Sequence, residues 1–93
     1  MTEETRRLDQ WLFFARFFKT RTLAARSVKA KRFRVNRLPT KKVSQPVRVG
    51  DVLTFPYNKE ILVVEVLELG DRRGPPAEAQ AMYRRIDPET EDV

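Results

Sequence analysis

The sequence predicts an α+β fold: two packed N-terminal helices, a small and mainly antiparallel sheet, then a short C-terminal helix and an acidic tail. Apolar residues recur at helical spacing near the N-terminus, the apolar period shortens to two from Phe33 onward, and all three glycines fall after residue 49 among turn residues. At 93 residues and 11.0 kDa the chain has the length of one domain. With 41% hydrophobic residues, including six Phe, one Trp and two Tyr, it is too apolar for the disordered class.

Leu8, Trp11, Leu12, Ala15 and Phe18 share one helical face, which predicts a helix over residues 8–18 with an aromatic-rich buried stripe. Phe13 and Phe17 fall off that stripe, toward Arg16. They read as filling for the core or cover for the sheet, with stacking on unpaired bases as the alternative. Lys19-Thr20 breaks the pattern, and Thr20 suits the N-cap of a second helix over residues 21–30, which has no Gly or Pro. On a helical wheel Leu23, Ala24, Ser27 and Val28 form the face toward the core. Arg21, Arg26, Lys29 and Arg32 gather on the opposite side within ~140°.

Phe33 and Val35 then alternate with Arg32, Arg34 and Asn36, placing the apolar pair inward and the polar residues outward on a first strand. Val47-Arg48-Val49 leads into a Gly50-Asp51 turn. Residues 52–57 and 61–69 read as strands about Asn58-Lys59. Residues 70–76 are a loop, after which Pro76 opens a short helix whose thin apolar face is Ala77, Ala81 and Met82. Residues 87–93 carry four acids without apolar periodicity and are expected to be a disordered acidic tail. The expected organisation is a binding core over 6–55, an extension of the same domain over 56–86, and the tail.

Composition excludes much chemistry. With no Cys and no His there is no disulfide, thiolate nucleophile, imidazole base or ordinary zinc site, so no metal, cofactor or small-molecule substrate is expected. The longest aliphatic run, residues 61–64, falls far short of the ~18 residues of a membrane span, and the N-terminus lacks a basic signal-peptide start. A cytoplasmic, non-catalytic monomer is expected.

The net charge of +6 and the pI near 10.2 point to a polyanionic partner. That +6 averages two unlike parts. Residues 6–42 carry 13 basic side chains and one acid, Asp9, for +12, while the remainder carries six basic and 12 acidic residues, for −6. Four cations on one helix face repel one another by a few tenths of a kcal/mol per close pair, so the arrangement is not optimised for stability. Phosphates relieve it, through counterion release and forked Arg contacts. Arg34 continues the surface onto the strand, and Lys41 and Lys42 carry it into the next loop. No paired Asn or Gln suggests base-edge reading, which leaves shape and phosphate readout. Asp9, one acid without an acid-base partner, reads as a brace for Arg16 or Arg21 rather than a catalyst.

Arg7-Leu8-Asp9, Phe18-Lys19-Thr20-Arg21, Leu23-Ala24, Val35-Asn36 and Val49-Gly50-Asp51, in this order and spacing, resemble the S4 RNA-binding domain over residues 6 to about 55. The stretch from Trp11 to Arg21 is most similar to the stand-alone fifteen-kilodalton heat shock protein family. The resemblance implies an S4-like fold with its alpha-L motif, and places Arg16, Lys19, Arg21, Arg26, Lys29 and Arg32 at RNA-facing positions. With Arg7, Arg34, Lys41 and Lys42 these make the expected contact surface. It further implies binding of ribosomal RNA or tRNA on the large ribosomal subunit, with a role in rescue or recycling of stalled subunits under stress. The sequence departs from the family where Lys31 and Arg37 replace glycines, and an acidic segment is expected to close it where the heat shock relative continues into a longer, basic extension. Two rival readings are an orphan targeting module related to pseudouridine synthases and a protein-interaction module using residues 61–69 and the Pro-containing helix.

Overall fold

The computed structural model describes residues 4–86. After a two-residue strand β1 (Arg6–Arg7), helix α1 covers Leu8–Phe14 and stops short of the expected residue 18. Its end is a Schellman turn: Phe17 N–H bonds to Leu12 O and Arg16 N–H to Phe13 O, both at 3.1 Å, with Arg16 left-handed at φ 65°. The turn resets the helical phase. Phe17 therefore swings into the core, where its ring lies 4.7 Å from that of Tyr83 and 5.2 Å from that of Phe55. Phe13 is half-buried beneath the Arg73 guanidinium, 5.0 Å from its ring centre. Both rings thus take the packing role.

Helix α2 spans Arg21–Ala30 as expected, and the Thr20 side chain accepts from Leu23 N–H at 3.0 Å. Ala24 and Val28 are fully buried, but Leu23, expected in the core, is 41% exposed. The short α1 offers two turns, enough to cover the Ala24–Val28 row and not the flank where Leu23 sits.

The chain continues through β2 (Phe33–Val35), β3 (Leu38–Thr40), β4 (Pro46–Val47), β5 (Val52–Tyr57), β6 (Glu60–Val66), α3 (Pro76–Gln80) and β7 (Tyr83–Ile86). Five strands form one antiparallel sheet in the order β3-β2-β5-β6-β7, and β1 pairs with β4 separately. Phe33 and Val35 face inward as their alternation required, and Phe33 stacks on Phe55 at 5.1 Å. Trp11 is fully buried between α1 and the sheet, and its Nε1–H donates to Glu68 O at 2.8 Å. The second expected long strand ends at Val66 rather than residue 69. In α3 it is Ala79, with the following Met82, that is buried, whereas Ala77 and Ala81 are exposed. The helix is five residues long and Ala81 is already its C-cap, so the face expected from a longer helix does not form. Strands β1, β3, β4 and β7 were not expected. The acidic tail lies outside the described residues.

Asn58-Lys59 joins β5 to β6 with φ of 49° and 65°, the left-handed pair that suits the strand twist of a tight hairpin. Asn36-Arg37 does the same between β2 and β3, at 51° and 73°. Arg37 therefore keeps the conformation of the family's glycine at a cost of about 1 kcal/mol, offset by Asn36. The Asn36 N–H donates to Val52 O at 2.7 Å, its Nδ2 donates to Asp51 Oδ1 at 3.0 Å, and its Oδ1 accepts from Val52 N–H at 2.9 Å. Lys31 has φ −119°, ordinary extended backbone, so its turn needs no glycine.

Candidate nucleic-acid interface

The basic segment is held by its backbone before any of its side chains acts. The first two N–H groups of α1, orphaned at a helix start, donate to the loop between β3 and β4: Leu8 to Gln45 O at 2.9 Å and Asp9 to Val43 O at 3.1 Å. That loop carries Lys41 and Lys42. Lys41 Nζ lies 3.4 Å from both Lys29 O and Lys31 O, at the negative end of α2, which favours a cation there. One loop thus ties the start of α1 to the end of α2.

Asp9 is the brace its isolation suggested. Only 3% exposed, it accepts from Arg7 Nε and Nη2, both at 3.1 Å, and from Gln10 N–H at 2.8 Å, while Arg21 Nε stands 3.5 Å away. A bidentate charge-assisted pair fixes orientation as well as contributing energy. Two cations sharing one carboxylate leave net positive charge, and the Arg7 and Arg21 side chains stay 47% and 44% exposed. Arg16 is not a partner of Asp9. Its Nε donates to Gly74 O at 2.7 Å, which draws it toward the C-terminal half of the chain.

The remaining expected contacts separate into clear groups. Arg26 and Lys29 lie one turn apart on the exposed face of α2. Arg32 and Arg34 lie with Lys31 and Lys41 around an open groove of ≈ 320 Å³ floored by Phe33, Pro39 and Thr40. Arg34 is outward because its cross-strand neighbours are Pro39 and Thr54, on the face opposite Phe33 and Val35. Lys42 is exposed on the anchored loop and Lys19 in the turn before α2. Lys31 was not among the expected contacts: a wheel continued past Ala30 turns it toward the apolar side, but the helix stops there. The same stop means that Arg32 owes its exposure to the strand alternation and not to the helix.

Among the described residues, the side chains of Arg26, Lys29, Lys31, Arg32, Arg34 and Lys42 have no carboxylate or hydrogen-bond partner. Cations of the C-terminal half behave differently. Arg72 pairs with Glu78 at 3.1 Å, Arg84 with Glu65 at 2.6 Å and Arg85 with Glu60 at 3.4 Å. Three arginines of the C-terminal half are thus neutralised by carboxylates, whereas those six cations of the N-terminal half have none among the described residues.

Residues 6–53 match the family model described as S4 domain. The Heat shock protein 15 homolog of Haemophilus influenzae is 34% identical over 87 residues, covering 94% of this chain and 66% of its own length. Heat shock protein 15 of Escherichia coli strain K12 is 34% identical over 77 residues, covering 83% of this chain and 57% of its own length. The chain thus spans about 57 to 66% of the length of these curated relatives. A solved structure described as trimeric Vibrio cholerae Heat Shock Protein 15 superposes with a TM-score of 0.82 at 34% identity, over 89% of this chain and 83% of that one. The matched segment contains both helices, the β2–β3 hairpin and the anchored loop, all the parts that hold the open cations in place, and the chain belongs to the S4 domain family, where its relatives are heat shock protein 15 and its homologues.

Proposed function

We propose that this protein is a non-catalytic, cytoplasmic binder of structured RNA, directed to ribosomal RNA or tRNA on the large ribosomal subunit and acting in rescue or recycling of stalled subunits under stress. The observation that carries the reading is the run of exposed cations over α2, β2 and the anchored loop, of which Arg26, Lys29, Arg32, Arg34 and Lys42 have no side-chain partner among the described residues. Phosphates relieve the mutual repulsion of these groups, and release of condensed counterions drives the association. Arginine forks grip phosphate oxygens at fixed positions, while Lys29, Lys41 and Lys42 act as point charges. The kinship with heat shock protein 15 supports the ribosomal assignment.

The test is charge reversal with ribosome co-sedimentation. Combining Arg26→Glu, Lys29→Glu and Arg32→Glu is expected to abolish pelleting with large subunits while the thermal transition stays in place, since these side chains hold nothing within the described fold. Arg21 is left unchanged because a Glu there would face the buried Asp9. Wild-type pelleting by the triple variant would overturn the proposal. We take the working unit to be a monomer, although the Vibrio cholerae relative is described as trimeric. Sedimentation equilibrium distinguishes a species of 11.0 kDa from one of three times that mass.

A further inference from the structure

A second concavity, of ≈ 440 Å³, opens between the turn after α1, the β5–β6 turn, α3 and β7. Its lining includes Arg16, Phe17, Tyr57, Glu60, Gln80 and Tyr83, and all of these except Arg16 and Phe17 lie outside the segment matched by the S4 domain. Arg16 holds the left-handed position that closes α1, at φ 65°, where glycine is the usual residue and any side chain is disfavoured. Strain kept at one exposed residue is a reason to look for work done there. Its guanidinium commits only Nε, to Gly74 O, and leaves both Nη groups without a partner among the described residues.

Glu60, the one carboxylate in the lining, is paired with Arg85 at 3.4 Å, and the aromatic and amide residues beside it are complementary in kind. The Phe17 ring centre lies 5.4 Å from that of Tyr57 and 4.7 Å from that of Tyr83, so the cavity has an aromatic wall braced by the core. The hydroxyls of Tyr57 and Tyr83 and the amide of Gln80 have no hydrogen-bond partner among the described residues. An aromatic wall, a polar edge and a free guanidinium fork answer the three parts of a nucleotide: the base face, the base edge and the phosphate. The turn bearing Arg16 also bears Lys19 and leads into Arg21, so the edge of the cavity is joined along the chain to the start of α2.

The geometry points to a binding site for one unpaired nucleotide of the RNA, separate from the phosphate-tracking groove. This inference rests on the RNA-binding proposal. The test titrates the full chain with a fluorescent RNA stem carrying one bulged nucleotide and with the same stem fully paired. Wild type is expected to favour the bulged stem about tenfold, within the range for one stacked base. Arg16→Gly supplies the residue the turn prefers, so it is expected to fold normally and to lose the preference, binding the bulged stem no more tightly than the paired one. In NMR, AMP is expected to shift the Tyr57 and Tyr83 ring signals where ribose 5-phosphate does not. Equal affinity of wild type for the two stems, or a preference that Arg16→Gly retains, overturns the nucleotide site and leaves the RNA-binding proposal standing. Failure to bind either stem overturns that proposal itself. Ring shifts from N-acetyltryptophanamide but not from AMP reassign the cavity to a protein partner and overturn the inference.

Discussion

Replacing Asp9 by Asn keeps its size and removes its charge, and the structure sets how much that costs. The carboxylate holds two bonds from Arg7, at 3.1 Å each, and an ion pair to Arg21 at 3.5 Å, from a position only 3% exposed. A bond to a charged group is worth about 1.5–3 kcal/mol when both partners are sheltered. Here both arginines are nearly half exposed, which screens the interaction and brings the sum down to about 1–2 kcal/mol. For a domain of this size, 1 kcal/mol corresponds to about 4–8 °C in Tm, so Asp9→Asn is expected to melt about 5–15 °C lower in a calorimetric scan. RNA affinity measured well below the transition should not fall, because Arg26, Lys29, Arg32 and Arg34 are untouched and the variant is one charge more positive. An unchanged Tm would refute the brace, and lost affinity at an unchanged Tm would make Asp9 part of the ligand site instead.

Two further outcomes follow from the same geometry. If about five phosphates are neutralised by the open cations, a plot of log affinity against log salt is expected to have a slope of about −3 to −5, and Arg34→Ala to shallow it by about one, as read by fluorescence anisotropy. A flat salt response would contradict a phosphate-dominated interface. Asn36→Ala removes the bonds to Asp51 and Val52 and leaves an Ala at φ 51°, so urea unfolding is expected to show a loss of about 2–3 kcal/mol; a loss below about 0.5 kcal/mol would show that the turn does not depend on that side chain.

Features governed by near neighbours were legible from residue types alone. The Thr20 cap and both ends of α2, the inward Phe33 and Val35, and the Asn58-Lys59 hairpin each depend on groups a few residues apart, so the local pattern specifies them. The basic face of α2 was legible for the same reason, since helix periodicity sorts Arg26 and Lys29 from Ala24 and Val28. The end of α1 was not. Arg16 adopts a conformation its residue type disfavours, while its side chain bonds to Gly74, 58 positions away. The short strands β1, β4 and β7 likewise exist through ladders to distant partners, which a run such as Tyr-Arg-Arg-Ile does not announce.

The same division runs through the charges. The sequence by itself determined how many cations the chain has and that they concentrate in residues 6–42, because charge is a sum over residues. Only the tertiary structure decided which of them are spoken for: Arg7 and Arg21 by Asp9, Arg84 by Glu65 and Arg85 by Glu60, with Arg26, Lys29, Arg32 and Arg34 left open. Pairing requires two groups within a few ångströms, and for Arg21, Arg84 and Arg85 that distance is set by packing between segments that the chain order keeps apart.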